Sequence, residues 1–342
     1  MQSQAVHMMI LFLLLLSINI CTALVPRMAK YGCQEYCGHV LIPYPFGLGS
    51  NKDCYLDDWF EIECHNLSSK TTSSAPHYKP FLKRAQLEVL NISIRGTLQV
   101  NSPVTFFCNR TGSSQVANLT DSPFVYSQEY NRFTAVSCGF LAGMESAEFV
   151  VGGCRSVCDH QKSASCDIGI NCCQTTIPPY LTVMGASILY QGESRDPNCN
   201  DYAFLVDKDW FEKSSSARAV KSRRHVPVVL EWNIINSTSS LELFGRYVTE
   251  NFDPYYSNYY NYSPEPHCYI YTSDSNNRST LYCYCPDGFV GNPYLLGSCQ
   301  DIDECMIGHN RCGPHSKCVN VPGYYVCVDK KNTKFILIIG LG

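Results

Sequence analysis

The apolar positions of this chain come in short runs. "FEIEC", "LEVLNISI", "TLQV", "PVTFFC", "AEFVV", "YAFLV" and "VPVVLEW" are rich in β-branched and aromatic residues, and Gly, Pro, Asn and Ser separate them. Such runs between turn residues predict β-strands. No long heptad-like amphipathic pattern is present, and one short helix is expected near Asp207 to Lys213. The pattern predicts a mainly β protein. Two polar stretches break it: the Ser-rich, basic "EKSSSARAVKSRRH" from Glu212 to His225, and the Tyr/Asn/Pro run "NFDPYYSNYYNYSPEP" from Asn251 to Pro266. Both read as linkers or loops.

A longer apolar run, Met8 to Ile20, opens the chain. It is shorter than the roughly 20 residues that a bilayer span needs. Cys21-Thr22-Ala23 after it offers small residues for a cut behind Ala23. Residues 1–23 are therefore expected to be a signal peptide, and the chain to be exported. Cysteine usage changes the picture further. Of 21 cysteines, removal of Cys21 leaves 20, an even and dense set that implies a disulfide framework. Zinc is the competing reading of Cys33/Cys37 and Cys154/Cys158, but no His pair of metal-ligand spacing follows. The neighbours Cys172 and Cys173 are expected to bond to different partners. Asn-x-Ser/Thr sequons at Asn66, Asn91, Asn109, Asn118, Asn236, Asn261 and Asn277 suggest a glycosylated outer surface, Asn261 least of all because Pro264 follows its Ser263.

The formal net charge of −4 excludes a strongly basic nucleic-acid binder, so an acidic ligand must be met by a local patch. The sequence carries no His-Arg-Asp, Asp-Phe-Gly or Val-Ala-Ile-Lys motif of a kinase. It has no Gly-x-Ser-x-Gly elbow or His-Glu-x-x-His either, so a hydrolase reading finds no residues to carry it. A binding protein rather than an enzyme is expected.

The sharpest local signal is Asp301-Ile302-Asp303-Glu304-Cys305, followed by Cys312 and then Cys318-x-Asn320-x4-Tyr325-x-Cys327. It resembles a calcium-binding EGF-like module. The chemistry fits: Ca²⁺ takes about six to eight oxygens, and Asp301, Glu304 and Asn320 offer carboxylate and amide oxygens. The resemblance implies backbone carbonyls of Ile302, Val321 and Tyr324 as further ligands. It also implies the pairs Cys305–Cys318 and Cys312–Cys327, with the third bridge missing because Asp329 stands where the fifth cysteine should be. The segment before it resembles the back half of another EGF-like module, which implies Cys268–Cys283 and Cys285–Cys299 and again lacks one bridge. A module short of a staple is expected to be looser, since a bridge is typically worth about 2–4 kcal/mol.

Gly32-Cys33-x3-Cys37-Gly38, "LIPYPFGLG", Cys54-Tyr55-Leu56, "FEIEC" and "LEVLNISIRGTLQVNSPVTFFC" resemble the galacturonan-binding domain of plant wall-associated receptor kinases. "FTAVSCGF", "GGCRSVCD", "CCQTTIP", "YAFLVDKDWF" and "VPVVLEW" resemble the cysteine-rich region that follows it in those receptors. The resemblance implies two cysteine-rich β lobes, 31–108 and 109–250, then a degenerate EGF-like module over 251–300 and a truncated calcium-binding one over 301–328. It also implies a transmembrane helix next, of which "FILIIGLG", 335–342, would be the start behind Lys330, Lys331 and Lys334. Eight residues cover about 12 Å of a hydrocarbon core of about 30 Å. The chain is thus expected to be a receptor fragment, a mis-split gene model or a secreted ectodomain-only relative. Membrane association would require continuation past Gly342.

The resemblance implies cell-wall pectin, homogalacturonan or its oligomers, as ligand. Each galacturonate ring carries a carboxylate, which Arg can hold through two parallel hydrogen bonds. Candidates are Lys79, Lys83, Arg84 and Arg95 in the first lobe, and the cluster Arg218, Lys221, Arg223, Arg224 and His225. Tyr255 to Tyr262 could stack on sugar faces. The alternative is a calcium-stiffened module that captures an extracellular protein or peptide. The expected place is outside the cell, at the plasma membrane facing the wall.

Overall fold

The structure, a computed structural model, describes residues 26–67, 77–107, 117–146, 149–159, 161, 164–189, 201–213, 220–235, 244, 264–272 and 279–330. The expected leader, the sequons Asn109, Asn236, Asn261 and Asn277, Arg218, Tyr255 to Tyr262, the boundary at 108 and the apolar tail lie outside these residues.

Strands form where the apolar runs predict them. Seven build the main sheet: β1 (Gly47–Leu48), β2 (Glu61–Asn66), β3 (Tyr78–Leu82), β4 (Leu87–Ser93), β5 (Thr97–Pro103), β6 (Phe124–Tyr126) and β7 (His225–Trp232). Their spatial order is β1-β2-β3-β4-β5-β7-β6, antiparallel except for β1 with β2. Alternation sets the faces. Leu87, Val89 and Ile92 of β4 and Leu98 and Val100 of β5 point into the core, and a bulge between Val89 and Asn91 keeps β4 in step with β5. Under the sheet, Phe46, Phe60, Phe124 and Trp232 form an aromatic knot with ring centroids 5.0 to 6.2 Å apart. The Trp232 indole N–H donates to the carbonyls of Ser93 and Thr97, as a buried indole requires.

β7 joins β5 across more than a hundred residues of chain. It is buried on both faces because a second, four-stranded sheet lies over it. That sheet has the order 173–175, 131–136, 202–207, 105–106. Val226 packs with Tyr202, Phe204 and Val206 on this side. β6 pairs only with Leu230–Trp232. Where it stops, the fully buried Asn131 side chain takes over: its amide donates to the Val229 carbonyl and its oxygen accepts the Val229 N–H. Backbone groups buried without a partner are costly, and Asn131 removes that cost. The expected helix is present at Lys208–Lys213. The Asp207 carboxylate caps it, accepting the N–H groups of Asp209 and Trp210. A three-stranded sheet of Phe149–Arg155, Leu141–Ser146 and Gly185–Leu189 completes the second lobe.

Nine disulfides staple the described residues. Cys37–Cys64 ties the N-terminal segment to β2 of the main sheet, and Cys33–Cys54 ties it to the turn between β1 and β2. Cys138–Cys158, Cys154–Cys173 and Cys166–Cys172 hold the second lobe. Cys172 and Cys173 thus bond to different partners, and each Cys-x3-Cys pair is divided between two bridges rather than gathered for zinc. Cys268–Cys283, Cys285–Cys299, Cys305–Cys318 and Cys312–Cys327 hold the C-terminal part. The protein is mostly β, with cysteine-rich β lobes.

The segment from 264 to 300 differs from the expectation of a loose module. Its hairpin, His267–Thr272 with Ser279–Tyr284, takes Ile234–Ile235, just past β7, as a third strand. Cys268, Leu281, Cys283 and Tyr294 belong to the same buried core as Trp232. Packing replaces the missing staple.

Candidate functional site

The sheet register decides which basic residues meet. Leu82 pairs with Leu87 across the β3–β4 turn, Val89 with Val100, and Pro103 with His225. Lys83 and Arg84 in that turn therefore share one end of the sheet with Arg223, Arg224 and His225 at the start of β7. β4 and β7 are two strand spacings apart, about 10 Å. Arg95 lies in the β4–β5 turn at the opposite end, past the seven residues of β4, about 20 Å away. The structure thus brings together two basic islands far apart in the chain and excludes Arg95 from them.

Within this end row the cations differ in their partners. The Lys79 ammonium lies 2.7 Å from Glu88, and Lys83 2.7 Å from Glu61 and 3.9 Å from Glu63. Burial opposes charge on Glu88, but the Lys79 ammonium and the Asn101 amide, which donates to it at 2.9 Å, outweigh burial and hold its carboxyl below the ordinary value. Glu61 is itself buried. Its hydrogen bond with Lys83 raises the Lys83 pKa and keeps that ammonium charged. Both lysines are committed to internal carboxylates.

The arginines are arranged otherwise. The Arg84 guanidinium lies 4.0 Å from the centre of the Trp59 ring, and that of Arg223 5.4 Å from the centre of Trp210. Among the described residues, no acid lies within 4.0 Å of either guanidinium. Both arginines are exposed and both tryptophans half-buried. Local chemistry places the rings. Asp57 accepts the Trp59 N–H at 2.7 Å, closing a tight turn before β2; burial pushes the Asp57 carboxyl up against that bond. Trp210 sits in the first turn of the helix capped by Asp207. A guanidinium on an aromatic face has its plane fixed and keeps its in-plane N–H donors for a planar carboxylate. Neither tryptophan stands out in the sequence as a binding residue; the available signal was one Trp within a few residues of each basic island in space, which only the register reveals. Lys221 and Arg224 are exposed nearby.

A second site forms in the C-terminal hairpin, Ser316–Val321 with Tyr324–Asp329. Asp301 accepts the Asn320 amide at 2.6 Å and the Gly323 N–H at 2.5 Å. Glu304 Oε2 and Asn320 Oδ1 are buried without any hydrogen-bond donor. Orphaned buried oxygens are rare; the Asn320 side chain is bonded to the Asp301 carboxylate, and carboxylate and amide oxygens are the donors a hard cation takes. The described residues hold no cluster of three or more His, Cys, Asp or Glu of metal-binding geometry.

Residues 33–102 match the family model described as wall-associated receptor kinase galacturonan-binding. The chain is 34% identical to "Wall-associated receptor kinase-like 6" of Arabidopsis thaliana over 87% of its own length and 48% of that protein. With "Wall-associated receptor kinase-like 5" of the same plant the identity is 35%, over 87% of the chain and 42% of the relative. Over most of its length the chain is similar to wall-associated receptor kinase-like proteins. The chain spans less than half the length of these relatives. No solved structure matches it. Among the described residues no helix is long and apolar enough to cross a membrane. The galacturonan-binding match stops at Ser102, one residue short of the end of β5. In this chain the sheet is nevertheless completed by β6 and β7, so the fold of the matched part depends on residues 124–126 and 225–232.

Proposed function

We propose that this region binds acidic cell-wall polysaccharide, homogalacturonan or its oligomers, across the basic end of the main sheet. The observation that carries the reading is the register that aligns Lys83 and Arg84 with Arg223, Arg224 and His225, together with the match to a galacturonan-binding family. Arg84 and Arg223 take uronate carboxylates through paired hydrogen bonds, with the Trp59 and Trp210 rings beside their guanidinium groups limiting their freedom. Preorganisation of this kind lowers the ordering cost of binding. Lys79 and Lys83, held by glutamates, set the shape and local field of the surface rather than the contacts. The test is retention on immobilised polygalacturonate in a salt gradient; a local patch of this kind is screened over about 8 Å at physiological salt, so moderate salt should elute the protein.

The same reading assigns Ca²⁺ to Asp301, Glu304 and Asn320, with backbone carbonyls of Ile302, Val321 and Tyr324. The ion would supply charge neutralisation for the two carboxylates and a partner for the two orphaned oxygens. Affinity in the range of extracellular modules, about 10⁻⁴ to 10⁻³ M, is expected. Calorimetric titration tests this: the wild type should take up one Ca²⁺ and gain thermal stability, and Glu304→Gln should lose both responses.

Capture of an extracellular protein is the second reading. Its support is the strand Phe149–Arg155, at the edge of its sheet, on which Phe149, Val150 and Val151 are exposed. Retention of a wall protein, with no retention on polygalacturonate, would favour it.

A further inference from the structure

The contact between the sheet lobe and the segment 264–300 is built like a protein–protein interface. At its centre is Asn292, fully buried. Its amide nitrogen donates to the carbonyls of Tyr44 at 2.6 Å and Met28 at 2.8 Å. Its side-chain oxygen accepts the Tyr294 N–H, and its own N–H donates to the Ser298 hydroxyl. That hydroxyl donates in turn to the Arg27 carbonyl at 3.2 Å. Both amide donors of this side chain are spent on joining two distant parts of the chain, and its oxygen fixes Tyr294 beside it. Beside it, Tyr294 is buried against Trp232 at 5.6 Å and Phe244 at 6.0 Å. Burial drives its phenol pKa well above the ordinary value, and the hydroxyl lies within 3.5 Å of the Cys283 N–H. Ile234–Ile235 adds a strand-to-strand seam with Leu281 and Thr280. A buried polar anchor ringed by aromatic and aliphatic contacts is the composition of an interface hot spot.

The covalent connection is much thinner. All eight cysteines from Cys268 onward bond among themselves: Cys268–Cys283, Cys285–Cys299, Cys305–Cys318 and Cys312–Cys327. No disulfide therefore crosses from this segment to the lobe, and the backbone through 236–263 is the sole covalent link.

We propose that residues 264–300 are a non-covalently docked subunit of the sheet lobe, seated by Asn292 and Tyr294, which stays in place when the connecting chain is cut. A cell-wall protease acting in the run 251–263 would then leave the lobe attached to the C-terminal hairpin. This inference is independent of what the lobe binds.

The experiment uses this whole chain with a site-specific protease sequence placed between Tyr255 and Tyr262. After cutting, a non-reducing denaturing gel should show two pieces, while native size-exclusion chromatography should show one peak at the position of the uncut protein. Asn292→Asp removes the amide donors without changing shape and sets a carboxylate against two carbonyls. Cut Asn292→Asp and Tyr294→Ala proteins should separate into two peaks, or at a urea concentration well below that needed for the wild type. Disulfide mapping of Cys268–Cys283 and Cys285–Cys299 keeps a misfolded segment from passing as an undocked one. Separation of the cut wild type under native conditions would overturn the proposal. So would an Asn292→Asp protein, correctly bridged, that holds together as well as the wild type.

Discussion

Arg84 and Lys79 look alike in the sequence, as two basic residues near the same strand, but their partners set them apart. Lys79 is bound to Glu88, whereas Arg84 rests on Trp59. Arg84→Ala should weaken binding to polygalacturonate about tenfold, the size of one charge-assisted contact, and Trp59→Ala should follow it by loosening the guanidinium. Lys79→Ala should leave the affinity within about twofold while lowering the thermal midpoint. Equilibrium binding of a defined oligogalacturonate series to the three variants checks the order. The Glu88 carboxyl gives a pH signature of its own. Its folded pKa lies below the 4.5 of the free group, so its contribution to stability is complete above pH 4.5 and is lost as pH falls through the lower folded value. Thermal midpoints below pH 4.5 should therefore drop more steeply for the wild type than for Glu88→Gln; parallel profiles would remove Glu88 from the account.

At the scale of elements, much was legible and some was not. β4 and β5 are readable because each alternates apolar and polar residues, and the short helix because Asp207 stands at its cap. The C-terminal hairpin is readable from cysteine spacing. β7 announces itself as an apolar strand, but nothing in "VPVVLEW" says that it pairs with β5, because partner choice between distant strands depends on which faces remain to be covered. The basic end of the sheet was invisible for the same reason, since it exists only once β7 is in register. Asn131 and Asn292 were equally hidden. A buried asparagine that closes a backbone gap has the same letter as one in a solvated turn. A test at this scale concerns the joint before the last hairpin. Gly288 has φ +80°, and a Cβ there would fall 2.0 Å from the Gly323 carbonyl oxygen. Gly288→Ala should cost at least about 1 kcal/mol. It should also speed amide hydrogen exchange at Ile302, whose N–H donates to the Gly288 carbonyl at 2.9 Å. Unchanged exchange at Ile302 would mean that this contact does not hold the joint.

Over the whole molecule, the described residues are held together in three ways. Disulfides fasten the loops of the second lobe, aromatic packing fastens the main sheet, and buried asparagines close the seams between parts. The result is a scaffold on which two basic islands, separated by well over a hundred residues of chain, share one end of a sheet. This chain applied to immobilised polygalacturonate, and eluted with a salt gradient beside an Arg84→Ala, Arg223→Ala double variant, tests this most directly. The wild type should be retained and elute at moderate salt, with the double variant leaving the column well before it. A wild type that flows through, or a double variant that elutes with it, would contradict the assignment of the acidic polysaccharide to this end of the sheet.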